Sequence, residues 1–255
     1  MKKITIIGNG SMAFSLANGL KDKYKLEIIG RDIEKINDFE KRLGVNINKN
    51  ILDNFNIENK TIILCVKPNN LEEVSKKING KAHIFISVLA GIKREELSKF
   101  YKYKWGVRIM PNISASIKKS MTIFNCNEKI KKEVELIIKE FGNSLYLDNE
   151  DKMDISTAIS GSGPAFLAFI AQSLIKSGKL HGLTEDESKI IVNGLFESFS
   201  SILQTQDSSK IISSVMSPNG TTEEGMKILK EESVDKSFSK AIYRTYKKSK
   251  DIVNS

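Results

Sequence analysis

Polar and apolar positions along this chain fall into two textures. From Lys3 to about Asp148, short apolar runs alternate with stretches of helical spacing. KITII (3–7) is apolar, β-branched and closed by Gly8. Met12, Phe14, Leu16, Ala17 and Leu20 follow at helical spacing. KLEIIG (25–30) predicts a second strand and residues 33–43 a second helix. TIILCV (61–66) and AHIFISVL (82–89) carry almost no polar side chain, which predicts strands buried on both faces. Helices are expected over 71–78 and 94–100, and further strands over 105–110 and 121–125. Such strand–helix alternation argues for a doubly wound parallel sheet, covered by helices on both sides.

From Lys129 the texture changes. Residues 129–142 read as an amphipathic helix stopped by Gly142, and 145–148 as a last strand. Beyond Asp154 no strand is predicted. Helices are expected over 155–177, interrupted by Gly-Ser-Gly-Pro, over 184–203, from 221 onward and over 234–253. Thr184 and Glu187 have the spacing of a capping box, in which each side chain satisfies a free backbone donor. The expected division is therefore 1–153, an α/β domain, and 154–255, an all-α domain. The helix over 158–175 is too apolar for an isolated surface helix, which points to burial in a helical domain or against a partner subunit.

Composition narrows the class. The 255 residues are 40% hydrophobic and 28% charged, enough for one or two ordered domains. No apolar run reaches the ~18 residues of a membrane span. The stretch Ile4 to Ile7 is too short for the ~7-residue apolar region of a signal peptide. A cytoplasmic protein with no membrane partner is expected. Cys65, Cys126, His83 and His181 are isolated, so neither a disulfide framework nor a Cys/His metal cluster is expected. The net charge is +9, but the lysines are spread along the chain without a basic cluster. A nucleic-acid surface needs such a patch, so no nucleic-acid partner is expected.

The candidate chemistry begins at Gly8-Asn9-Gly10-Ser11-Met12-Ala13, which fits G-x-G-x-x-G/A between a strand and a helix. Gly8 permits the tight turn, Gly10 lets a pyrophosphate approach the backbone, and Ala13 lets the helix pack closely. The helix N-terminus then offers free N–H groups and its positive dipole end to the phosphates. A plain strand-to-helix turn is the alternative. Where the second strand ends, Arg31 stands at the offset that selects between cofactors. A guanidinium there pairs with a 2′-phosphate and favours NADPH; Asp32, one position on, keeps NADH open through the ribose hydroxyl. A solvated loop arginine is the bland reading of Arg31.

The chain has only four prolines, and each marks a loop. Cys65-Val66-Lys67-Pro68 and Met110-Pro111-Asn112 follow apolar strands, where ligands of parallel sheets bind. Ordinary turns would also explain both. Gly161-Ser162-Gly163-Pro164 heads an apolar helix and would serve close packing. Ser217-Pro218-Asn219-Gly220-Thr221-Thr222 runs into a predicted helix, with Thr221 and Glu224 at capping-box spacing. Backbone N–H groups, hydroxyls and the helix dipole make that loop suited to a carboxylate, although a simple N-cap reads the same way.

Together these motifs resemble pyrroline-5-carboxylate reductases. The likeness runs over nearly the whole chain and includes Ala241-x-x-Arg244 in the last helix. It implies reduction of 1-pyrroline-5-carboxylate to L-proline, the last step of proline biosynthesis, with NADPH or NADH. It also implies an N-terminal Rossmann domain, a helical dimerisation domain, and a homodimer or larger ring of dimers with active sites at the dimer interface. By motif, Ile7, Gly8, Gly10, Ser11, Met12, Cys65, Val66, Lys67 and Pro68 would contact the cofactor, with Ala90 and Asn112 nearby. Asn54 is carried to a family asparagine near the adenosine ribose, across a segment that is shorter here. Ser217, Asn219, Gly220, Thr221 and Thr222 would hold the substrate, with Thr222 on the ring nitrogen and orienting it. Two departures stand out. Asn219 replaces a glycine, and Gln204-Thr205-Gln206 stands where relatives can carry an acid that contacts substrate.

Other readings stay open at this point. A related reductase of another imine or β-hydroxy acid would rest on a helix lysine, such as Lys176 or Lys179. A nucleotide sensor would keep the glycine loop without needing the loop at 217–222.

Overall fold

A computed structural model describes Met1–Asp251. By internal contacts these residues form two compact units, Met1–Ser162 with the chain from Arg244 on, and Gly163–Tyr243.

The first unit holds ten strands: β1 Lys3–Ile7, β2 Lys25–Gly30, β3 Asn48–Ile51, β4 Phe55–Asn56, β5 Thr61–Leu64, β6 Ile78–Asn79, β7 Lys81–Ser87, β8 Lys102–Met110, β9 Ser120–Cys126 and β10 Gly142–Tyr146. Eight form one sheet in the order β10-β9-β8-β7-β5-β1-β2-β3, and β4 pairs with β6 apart from it. All neighbours run parallel except β8 and β9, which pair antiparallel from Val107↔Cys126 to Met110↔Ile123. The expected parallel sheet is thus present with one antiparallel step. The connection of residues 111–119 carries only a short 3-10 turn, so it cannot make the crossover a parallel pair requires.

Helices α1 Ser11–Leu20, α2 Ile33–Leu43, α3 Leu71–Ser75, α4 Arg94–Phe100, α5 Lys131–Ile138 and α6 Met153–Ser160 also belong to this unit. Strand alternation feeds two cores. Ile4, Ile6, Ile28 and Ile63 pack with Leu16, Leu20 and Phe39 on one face. Ile7, Ile29, Ile62 and Leu64 pack with Leu71 and Leu97 on the other. Buried strands therefore need apolar residues at every position, which is how they read in the sequence.

Two buried carboxylates interrupt that pattern. Glu27 on β2 accepts from Lys3 Nζ (2.9 Å), Thr5 Oγ1 (2.7 Å), Asn50 Nδ2 (3.1 Å) and Lys60 Nζ (3.1 Å). Burial alone would push its carboxyl up; these bonds outweigh burial and hold it below the usual range. Asp154 on α6 accepts from Arg108 Nη2 at 2.6 Å, and Arg108 is fully buried on β8. Glu150 accepts from both the N–H and Nε of Arg94 and lies 3.5 Å from Arg108 Nη1. These ion pairs fasten α6 to the sheet, and Met153 is buried against Met110 and Ile123. For that reason the compact division falls after Ser162, whereas the sequence texture changes at 153/154.

The second unit holds α7 Gly163–Leu180, α8 Glu185–Leu203, α9 Ser208–Val215, α10 Thr221–Glu231 and the first part of α11 Val234–Asp251. The Thr184–Glu187 capping box is present, with Glu187 N–H donating to Thr184 Oγ1 and Glu187 Oε2 accepting from Thr184 N–H. Inside this unit only Ser188 and Val192 are buried. Phe169 is 68% exposed and Ile190 72%. Within the helical stretch Glu150–Leu180 an 18-residue window has mean hydropathy 1.4, by length and composition apolar enough to cross a membrane. This stretch corrects the expectation that no apolar run is of membrane length; serine and glycine interrupt its apolar residues.

Several elements differ from expectation. Strands β3, β4 and β6 are short and polar, and α3 ends before Ile78, which enters β6. Helix α9 lies where no helix is predicted, over a serine-rich stretch. Val253, the expected end of the last helix, lies outside the described residues.

Candidate functional site

The carboxyl ends of β1, β2 and β5 surround a cavity of about 450 Å³. Three backbone bonds continue the sheet past its strands: Gly8 N–H to Ile29 O, Cys65 N–H to Ile7 O and Leu52 N–H to Gly30 O, each 2.8 Å. Gly8 has φ +113°, and a Cβ there would stand 2.3 Å from the Cys65 carbonyl oxygen. No other residue can occupy that position without moving β5. Gly10 is the N-cap of α1, in extended backbone and with no side-chain cap. A Cβ on Gly10 would meet nothing within 4 Å. The first turn of α1 contains no acidic residue. Its free N–H groups and positive dipole end therefore stay available for an anion.

Of the residues carried from the motifs, Ile7, Gly8, Gly10, Arg31, Cys65, Val66 and Lys67 line this cavity. Ser11 and Met12 form the first turn of α1 just behind it. Pro68 opens the 3-10 turn of residues 68–70 and fixes the loop after β5. Packing around Cys65 pushes its thiol up to about 12, so this cysteine serves as a wall and not as a nucleophile. Arg31 is largely exposed and lies 3.6 Å from Glu73. Asp32, the competing residue, caps α2 instead: one carboxylate oxygen accepts from Glu34 N–H (2.9 Å) and Lys35 N–H (3.3 Å). The cavity also reaches Asn9, inside the glycine motif, and Asn70 and Leu52, which the motifs do not include.

Three carried residues stand elsewhere. Asn54 does not line the cavity; it has φ +49°, and Asn79 Nδ2 donates to its Oδ1 at 2.6 Å. Its side chain holds the β4–β6 pair. Ala90 packs on Met110, Ile123 and Met153. Asn112 is spent on structure: its Oδ1 accepts from Ser114 N–H and its Nδ2 donates to Ser160 O at 3.2 Å. Asn112 therefore ties the loop after β8 to the end of α6. Arg108 and its carboxylates went unnoticed in the sequence; their one signal is a lone arginine inside the apolar run WGVRIM.

The second loop lies in the second unit. Gly220 N–H donates to Ser217 O at 2.9 Å, closing a turn over Ser217–Gly220. Asn219 has φ +58°, the left-handed conformation that asparagine tolerates best after glycine. A Cβ on Gly220 would stand 2.4 Å from Ser217 Oγ, so the turn requires glycine there. Gly220 is the N-cap of α10, and Thr221 and Thr222 are its first residues. The expected Thr221–Glu224 capping box is absent. Thr221 lies one position inside the helix, and Glu223 reaches back instead, accepting from Asn219 N–H at 2.7 Å. The hydroxyls of Ser217, Thr221 and Thr222 make no hydrogen bond among the described residues.

A family model described as pyrroline-5-carboxylate reductase dimerisation matches residues 150–252. One described as NADP oxidoreductase, coenzyme F420-dependent, matches residues 3–91. A pyrroline-5-carboxylate reductase of Helicobacter pylori strain J99 is 33% identical, over 97% of this chain and 99% of that protein. The crystal structure of the 1-pyrroline-5-carboxylate reductase of Streptococcus pyogenes superimposes with TM-score 0.88 at 29% identity, covering 98% of each chain. That of Plasmodium falciparum pyrroline carboxylate reductase, with NADP bound, gives 0.83 at 24% identity over 99% and 98%, a likeness of fold.

Proposed function

Since this chain belongs to the pyrroline-5-carboxylate reductase family, we propose that its two glycine loops divide the reduction of 1-pyrroline-5-carboxylate to L-proline between them. One observation carries the assignment of sites: each loop runs directly into a helix N-terminus that no side chain of its N-cap blocks. Backbone donors of this kind favour phosphates and carboxylates.

In this reading the first loop, Gly8 to Met12, holds the cofactor's pyrophosphate, and Arg31 pairs with a 2′-phosphate. The fit rests on the Gly8 approach and on the open space before Gly10. Bound reduced nicotinamide supplies the hydride. Ser217–Thr222 holds the substrate carboxylate with the Thr221 and Thr222 N–H groups and hydroxyls. The Thr222 hydroxyl orients the ring nitrogen; a threonine is too weak an acid to protonate it at neutral pH. The imine carbon is electrophilic once that nitrogen carries a proton. Asn54 has no cofactor role in this assignment, and Asn112 and Ala90 act by positioning.

The helical segment from residue 154 on serves dimerisation. Its support is the match of residues 150–252 and the scarcity of buried residues in the second unit. A second copy would cover the apolar faces of α7 and α8 and complete the active site, which also explains why so apolar a stretch need not meet lipid. We place the enzyme in the cytoplasm, where reduced nicotinamide is supplied. Light scattering separates a dimer from a ring of dimers.

The test is the loss of reduced-nicotinamide absorbance with 1-pyrroline-5-carboxylate, run with NADPH and NADH in parallel. Proline formation is expected with both and faster with NADPH. Binding of NADPH without turnover would move the chain to another imine.

A further inference from the structure

The substrate loop already holds a carboxylate. Glu223 Oε2 accepts from the Asn219 N–H at 2.7 Å, and its side chain is half-buried against the turn. Asn219 stands at φ +58°, and the next donor, Gly220 N–H, is taken by the Ser217 carbonyl. Of the loop's backbone donors after Pro218, only those of Thr221 and Thr222 then face outward without a carbonyl above them. Glu224, the other acid of the first turn, is exposed, and its carboxylate accepts no hydrogen bond among the described residues.

We propose that Glu223 is a built-in competitor of the substrate carboxylate, setting how tightly this loop takes anionic substrate. The inference rests on the assignment of Ser217–Thr222 to substrate. Two carboxylates at one helix N-terminus share the same dipole, and they repel. At about 4 Å the repulsion between exposed like charges amounts to roughly a fivefold change in affinity. The substrate either displaces Glu223 from Asn219 or binds beside its charge; both routes weaken binding. The alternative is that Glu223 merely shapes the turn. The two separate cleanly, because glutamine keeps an acceptor for the Asn219 N–H and loses the charge.

The experiment compares wild type, Glu223→Gln and Glu223→Ala with 1-pyrroline-5-carboxylate and with unsubstituted 1-pyrroline, which lacks the carboxylate. Expected for Glu223→Gln is a KM for 1-pyrroline-5-carboxylate lowered about fivefold, with kcat unchanged. Its kcat/KM for 1-pyrroline should not move, and NADPH affinity by protein fluorescence should match wild type. Glu223→Ala should also lower KM. An unchanged KM in the glutamine variant, a raised KM in the alanine variant, or equal shifts for both substrates would overturn the competitor role. Calorimetry with L-proline reads the same competition without turnover: binding must tighten in Glu223→Gln, and equal affinity overturns the proposal. A wild-type protein that reduces neither imine but binds L-proline more tightly after Glu223→Gln would sink the assigned reaction and leave the competitor standing.

Discussion

The two glycine loops of this chain use one geometric idea under opposite packing conditions. The first lies between two buried strands, and its glycine is compulsory because the Cys65 carbonyl passes 2.3 Å from the place of a Cβ. Its helix carries no acid in the first turn and packs Ala13, Leu16, Ala17 and Leu20 into the core. The second lies in a unit with almost no core of its own, and its helix has no buried residue. Its turn tolerates asparagine at a left-handed position and carries two acids just after it. A doubly charged pyrophosphate suits a rigid, acid-free donor set. In the proposed assignment a singly charged carboxylate meets the looser one, beside the internal carboxylate of Glu223. Rigidity here comes from burial, not from glycine.

The sharpest way to break the comparison is Gly8→Ala. Added Cβ and a strained φ cost up to about 3 kcal/mol, so NADPH affinity should fall roughly 100-fold, read by fluorescence titration. Affinity within a few-fold of wild type would mean that the first loop is as adaptable as the second. Next comes Arg31→Met, which removes a charge-assisted contact of about 2 kcal/mol. The KM for NADPH should rise about 30-fold while that for NADH stays. Parallel increases would show that Arg31 does not read the 2′-phosphate. Thr222→Ala should lower kcat about tenfold, the loss of one positioned hydrogen bond, without changing NADPH affinity. Full turnover would remove Thr222 from the mechanism. The smallest effect belongs to Asn219→Gly: the left-handed angle suits glycine, so KM and kcat should both stay within about twofold. A large rise in KM would show that the asparagine side chain itself meets substrate.

Most of the α/β unit was legible residue by residue. Ile33–Leu43 forms α2 with the predicted bounds, and Lys3–Ile7 and Lys25–Gly30 form the predicted strands. These elements reach the usual length for their type and carry a consistent apolar pattern. Strands β4 and β6 were not legible, because two residues held by one pair of backbone bonds leave no periodicity. The site divides in the same way. The glycine loop was readable from local spacing, and so was the turn at Ser217. The capping role was misplaced by one helical position, since Thr-x-x-Glu looks the same whether Thr221 stands outside the helix or inside it. Arg31 against Asp32 could not be decided from order along the chain; in the fold the Asp32 carboxylate caps α2, which supports the proposed role of Arg31.

The sequence by itself determined the strands that must be buried, the turns that demand glycine or asparagine, and the family to which their combination points. These depend on neighbours within a few residues, where periodicity and allowed φ angles act directly. Only the tertiary structure decided that β9 turns back against β8, that Asn54 holds Asn79 instead of lining the cavity, and that Arg108 finds its counter-charge in Asp154, forty-six residues on. Those outcomes depend on which distant groups become neighbours once the sheet closes. Burial then sets the cost of leaving each of them unpaired.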